Sequence, residues 1–173
     1  MNASKLLSFT AALVVLTGCS DSNNMPKSQA LKATKASEQS QTIKLTASSQ
    51  HDKFGPEGLV TATQPGWHSA YPPKYPESLT VDFLSPREIK SLGLLPQDGQ
   101  AARAPKALRI EISSDGNSWK PVAESDNACP RKTPDGWSNI VFPKPAIGRY
   151  VKLTILSNCG DKELLTLRGL RFG

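Results

Sequence analysis

Histidine and cysteine, the side chains most readily used as base and nucleophile near neutral pH, are few in this chain: His51 and His68, and Cys19, Cys129 and Cys159. Group-transfer or hydrolytic catalysis needs a nucleophile and a base held together, and this stock offers little from which to build such a pair. Neither histidine has ligand spacing to a cysteine, which disfavours a zinc-type centre. Paired carboxylates for glycoside hydrolysis leave no sequence signature, and nothing points to them. The expectation is a protein that binds and does not catalyse.

The cysteines have different expected fates. Lys5 followed by the mostly apolar run Leu6 to Leu16 has the make-up of a signal peptide and is too short for a stable spanning helix. The run ends in Leu16-Thr17-Gly18-Cys19, which resembles a bacterial lipobox, so Cys19 is the expected lipidation site. An ordinary secretory signal with a chance cysteine is the rival reading. By resemblance to Gram-negative lipoprotein sorting, Ser20 directs the product to the outer membrane, on its periplasmic face or at the cell surface. Residues 1–18 then read as the signal peptide and 19–41 as a flexible tether. The tether is rich in Ser, Asn, Gln, Lys and Ala and cannot bury enough surface to offset its ordering entropy. Residues 42–173 remain as one domain. Export to an oxidising compartment makes a Cys129–Cys159 disulfide the natural pairing, with two buried free thiols as the alternative. The formal charge of +6 comes from scattered basic residues that form no dense run, so no nucleic-acid partner is expected.

The elements that must position any site read as strands. Leu79, Val81 and Phe83 alternate with Thr80 and Asp82; Leu108, Ile110 and Ile112 alternate with Arg109 and Glu111. Val151, Leu153 and Ile155 repeat the pattern against Lys152 and Thr154. Period-two alternation marks strands buried on one face. No stretch of 42–173 holds a helical stripe, and Gly and Pro punctuate throughout. Asp115-Gly116 between Ile112 and Trp119 predicts a hairpin, both turn positions tolerating positive φ. Leu165 and Leu167 set one parity and Leu170 and Phe172 the other, which predicts a bulge at Gly169. The fold class is all-β, an antiparallel β-sandwich.

Several short motifs occur in one order. Ala47-Ser48-Ser49 precedes Trp67-His68-Ser69, then Leu79-Thr80-Val81-Asp82, then Ser113-Ser114-Asp115-Gly116-Asn117-Ser118-Trp119, then Arg149-Tyr150-Val151-Lys152-Leu153. This series resembles a discoidin-like, coagulation factor 5/8 type C domain, closest in flavour to the family 32 carbohydrate-binding modules. The resemblance implies a jelly-roll, galactose-binding-domain-like sandwich that binds ligands at its loop ends.

Carried over by position, the resemblance assigns His68 to a sugar hydroxyl, with a structural hydrogen bond as the alternative. The Leu-Pro-Arg element of the modules corresponds to Leu95-Pro96-Gln97, so Gln97 stands where an arginine is usual; Arg103 further along that loop is its replacement. Asp98 supplies a further polar group, and Tyr71 and Tyr75 replace the stacking ring that the loop Ser157 to Asp161 lacks. Sugars present dense donor–acceptor arrays and apolar C–H faces, which planar aromatics and polar side chains recognise. Trp67, Trp119 and Trp137 read as packing residues before platforms. The family's structural calcium is disfavoured, because Leu59 to Pro65 and Gly169 stand where its acidic ligands are usual, leaving only Asp52 and Glu57. No other cofactor is expected. The expected function is a noncatalytic, membrane-anchored lipoprotein that binds cell-envelope or extracellular glycan. The alternative is a protein-interaction or structural accessory lipoprotein of an envelope complex.

Overall fold

The alternating positions of the sequence become the two-sided strands they predict. The computed structural model describes residues 43–63, 65–130 and 133–173; the expected signal peptide, Cys19 and the tether lie outside them. In chain order the strands are β1 (Lys44–Ala47), β2 (Trp67–His68), β3 (Glu77–Leu95), β4 (Pro105–Ser113), β5 (Lys120–Glu124), β6 (Ser138–Asn158), β7 (Thr166–Leu167) and β8 (Gly169–Phe172). Every pairing is antiparallel. Leu79, Val81, Phe83, Leu108, Ile110, Ile112, Val151, Leu153 and Ile155 are all buried in one core. Thr80, Asp82, Arg109, Glu111, Lys152 and Thr154, which alternate with them, are half-buried or exposed.

The large sheet runs β1-β3-β6-β4-β5, with β8 added to β3, and β2 pairs β7 separately. At 19 and 21 residues, β3 and β6 far exceed ordinary strand length. Their mutual register shifts between Asp82 and Arg87 and again between Ile89 and Ser91. The early half of β3 pairs β1 and the late half of β6, whereas its late half pairs β8 and the early half of β6. Each long strand thus serves both layers of an all-β sandwich.

The bend in β3 is chemically supported. Leu84 sits at a φ of 66°, a left-handed conformation that its Cβ disfavours. Its N–H donates to Asp82 Oδ1 at 2.7 Å. Arg149 on β6 grips the same carboxylate from the other side, Nε to Oδ1 at 2.7 Å and Nη2 to Oδ2 at 2.9 Å. The Arg149 guanidinium holds the Asp82 carboxyl below the usual carboxylate range. Two of the ordered sequence motifs therefore meet at one ion pair.

Two local expectations take a different form. The Asp115-Gly116 hairpin exists between β4 and β5, but only Gly116 has a positive φ, at 79°. The turn is wider than two residues because Asp115 Oδ1 accepts the N–H groups of Asn117 and Ser118, both at 2.8 Å. Near the C-terminus the parity change is made by a change of partner: β7 pairs β2 and β8 pairs β3. Leu165, Leu167 and Leu170 all reach the core without a bulge inside one strand. Cys129 and Cys159 are bonded, with Cα atoms 5.6 Å apart and 30 positions between them in sequence.

One buried charge stands at the start of β3. Glu77 is only 2% exposed. Its Oε2 accepts the hydroxyls of Ser48 and, at 2.7 Å, Ser49, and its Oε1 accepts the Lys74 N–H at 3.0 Å. Ser49 Oγ in turn accepts the Ala70 N–H at 2.9 Å, and the Ser49 carbonyl takes the Trp67 indole N–H at 2.9 Å. Glu77→Ala removes an acceptor from three donors at once. The expected loss is about 3 kcal/mol or more in urea unfolding, since each such bond to a charged group contributes roughly 1.5–3 kcal/mol. A change below about 1 kcal/mol, the size of one neutral hydrogen bond, would show the carboxylate to be dispensable.

Candidate functional site

At one end of the sandwich, four short segments meet around β2. Gly66, at a φ of 75°, makes the entry possible: a Cβ there would lie 2.4 Å from the Leu167 carbonyl oxygen. Trp67 is then fully buried and His68 stands opposite Thr166 of β7. The turn His51–Phe54 lies along the other edge of β2, with His68 N–H donating to Phe54 O at 3.1 Å and His51 N–H to His68 O at 3.0 Å. This backbone pairing stacks the Phe54 ring on the His68 imidazole, centroids 4.3 Å apart and planes 14° from parallel. His51 follows, 6.2 Å from the Phe54 centroid and 6.3 Å from that of Tyr71.

The loop after β6 supplies the facing wall. Asp161 Oδ1 accepts the N–H groups of Glu163 and Leu164, both at 2.9 Å, while Oδ2 receives Arg103 Nε at 3.1 Å. Those backbone donors, ahead of Arg103, keep the Asp161 carboxyl below its ordinary range. Asn158 Nδ2 donates to the carbonyls of Asp161 and Leu164 at 2.6 and 2.8 Å. The Arg103 turn is sewn to this loop, with Cys159 N–H on Ala104 O at 3.0 Å and Asp161 N–H on Ala102 O at 3.1 Å. Tyr71 is 54% exposed. Its phenol lies beside Glu163, whose charge raises the phenol pKa. Tyr75 stands beside Asn158 and Glu77, with burial the first cause of its raised pKa.

The structure therefore brings His68, Tyr71, Tyr75 and Arg103 to one loop end. Gln97 adjoins them, its Nε2 donating to Pro65 O at 3.4 Å, a carbonyl that also faces the His68 ring. Asp98 does not join. It pairs with Arg168 and lines a separate 320 Å³ cavity with Gln97 and Ala101. His68 Nε2 and Gln97 Oε1 are buried without a hydrogen-bond partner, so ligand access to His68 requires its ring or its neighbours to shift. His51, Phe54, Asp161 and Glu163 complete the cluster and were not assigned from sequence. Asp161 carries one usable signal, since Asp commonly closes a turn on N–H groups two residues ahead.

A calcium centre is not supported by the donor set. Where the sequence places Gly169, a Cβ would meet Ala62 Cβ at 2.9 Å and the Trp137 ring at 3.0 Å, which is apolar packing. Among the described residues, no group of three or more His, Cys, Asp or Glu side chains is disposed to hold a metal ion.

A family model for the F5/8 type C domain matches residues 44–166. A search of curated proteins finds no match. Among solved structures, the fold is similar to CBM32-3 from a family 31 glycoside hydrolase of Clostridium perfringens, at 23% identity and a TM-score of 0.65, over 77% of this chain and 91% of that one. It is similar to the family 32 CBM of C. perfringens NanJ in complex with galactose, at 16% identity and a TM-score of 0.60, over 76% and 93%. It is also similar to chitosan-binding module 1 of a Paenibacillus sp. IK-5 chitosanase/glucanase, at 18% identity and a TM-score of 0.61, over 76% and 95%. At these identities the likeness is one of fold.

Burial depresses the His68 pKa below 6.5, and the nearby Arg103 and His51 add to the depression. The unfolded chain takes up that proton first on acidification, so the unfolded state gains protons and stability falls as pH drops through 6.5. The urea midpoint is expected to fall from about pH 7.5 to about pH 5.5, and His68→Gln should remove part of that fall. Equal falls in both proteins would show that this ring does not carry it.

Proposed function

We propose that this chain, which belongs to the F5/8 type C domain family, is a noncatalytic glycan-binding module carried on a lipid-anchored envelope protein. One observation carries the reading: the exposed Tyr71 ring shares a loop end with Tyr75, His68 and Arg103, on a fold shared with carbohydrate-binding modules. An aromatic face bordered by hydroxyl, carboxylate and guanidinium groups matches the alternating apolar and polar surfaces of a sugar. Tyr71 is the stacking surface, with Glu163 at its edge and Arg103 on the facing loop, paired to Asp161. The structural neighbours from C. perfringens and Paenibacillus, one solved with galactose and one named for chitosan, support glycan as the ligand class.

On this reading residues 1–18 are removed as a signal peptide, Cys19 carries the lipid, 19–41 tether the module and 42–173 bind. Multiple acyl chains, at about 0.8 kcal/mol per buried CH₂, hold it on the outer membrane. A second reading, an accessory lipoprotein that docks an envelope protein, is favoured by one fact: His68 Nε2 is closed off in this conformation.

On arrays of envelope polysaccharides and free disaccharides, the full-length chain is expected to bind saturably. Tyr71→Ala and Arg103→Ala should each weaken the binding about tenfold, equivalent to about 1.4 kcal/mol. Unchanged affinity in both variants would remove the site, and a reproducible crosslinked protein partner with no glycan bound would install the second reading. Metabolic labelling with palmitate should mark the chain and fail to mark Cys19→Ser; equal labelling of both would overturn the anchor.

A further inference from the structure

We propose that a second saccharide site lies away from the Tyr71 loop end, in the cleft between the start of β4 and the start of β6, with Trp137 as its platform. The cleft follows from the topology. The early half of β6 pairs β3 alone, and β4 pairs only its late half, so the two layers part along this edge. The segment from Ser125 to Pro130 roofs the gap, held down by the Cys129–Cys159 bond. The cleft is open to solvent and offers about 480 Å³, within the usual range of small-molecule sites.

Trp137 is fixed by a polar network that the loop-end site does not use. Asp135 Oδ1 accepts the Thr133 hydroxyl at 2.8 Å and the Trp137 N–H at 3.2 Å, which sets the backbone of the turn. Asp135 Oδ2 receives Arg171 Nη1 at 3.2 Å, and the guanidinium carbon lies 4.6 Å from the Trp137 ring centroid. Arg171 Nε and Nη2 then both donate to Asn139 Oδ1, at 3.2 and 3.0 Å. Asn139 also lines the cleft, its side chain fixed by these bonds.

A braced indole beside polar side chains suits a pyranose, the ring under the C–H face and the polar groups on its hydroxyls. Ser138 and Asp126 line the same cleft and add hydroxyl and carboxylate groups for further sugar hydroxyls. Fixing these groups in the free protein lowers the ordering cost of binding. The class of ligand is a neutral saccharide of one or two residues. The charged side chains of the lining are Lys106 against Glu124 and Asp126, a balance that leaves no net positive charge to select an acidic sugar.

The test uses the full-length chain titrated with cellobiose, lactose and N,N′-diacetylchitobiose, following the indole N–H signals in nitrogen-correlated NMR spectra. At least one of these is expected to shift the Trp137 signal saturably. That shift should persist in Tyr71→Ala, so failure of the loop-end site and failure of the cleft are read separately. Trp137→Ala is expected to weaken binding at least tenfold. Ala128→Trp, which fills the cleft from an exposed roof position, should do the same without disturbing the core. The proposal is overturned if none of the three sugars moves the Trp137 signal, or if Ala128→Trp leaves the affinity unchanged. It is likewise overturned if Tyr71→Ala abolishes every shift.

Discussion

The loop end of this sandwich depends on one buried carboxylate. Glu77 opens β3 and extends the β1–β3 pairing into the loops, joining the hydroxyls of Ser48 and Ser49 just past β1 to the Lys74 N–H of the tyrosine loop. A buried charge is tolerated only when its oxygens are filled, and three donors fill these. Because Ser49 also binds Ala70 N–H, the segment bearing Tyr71 and Tyr75 is fastened at two points. The exposed tyrosine rings are therefore presented by a loop whose backbone is held by the core.

The opposite wall is fastened by different means. Asp161 caps its own turn and anchors Arg103, while Cys159, two residues earlier, bonds to Cys129. In the chain-entropy picture such a bond removes on the order of 3–4 kcal/mol of freedom from the unfolded chain. It also stands between the two candidate sites. Cys159 belongs to the wall that holds Arg103, and Cys129 lines the cleft that holds Trp137. One covalent link steadies the loop end and the roof of the cleft together.

Most of the fold was legible because its information is local. Period-two alternation placed the core residues of β3, β4 and β6, and the ordered motifs proved to be fasteners: Asp82 to Arg149, Ser49 to Trp67, Asp115 within its own turn. What the alternation could not resolve was geometry with a shared parity signature. A bulge at Gly169 and a change of sheet both reverse the facing of side chains, and only the latter occurs. That change puts Arg168 between β7 and β8, where it pairs with Asp98 and takes that residue out of the loop-end cluster. Likewise, Arg103 and Asp161 lie 58 positions apart with no periodic relation, and the Phe54–His68 stack arises from a turn pairing with β2. Contacts of that kind are made by tertiary packing and leave no mark in local sequence.

The balance of charge at the loop end bears on what kind of glycan suits it. His68 is disposed to the neutral form, held there first by burial and then by the Arg103 guanidinium. Arg103, the replacement for the arginine absent at Gln97, has its charge matched by Asp161 at 3.1 Å. The Tyr71 phenol borders Glu163, which repels rather than attracts an anion. Little net positive potential is left at this end to draw a sulfated or uronate polymer, although the chain as a whole carries +6. Recognition here must come from stacking and neutral hydrogen bonds, forces that salt screens weakly. The same holds for the braced indole and amide of the cleft. Both proposed sites thus suit an uncharged sugar better than an anionic polymer.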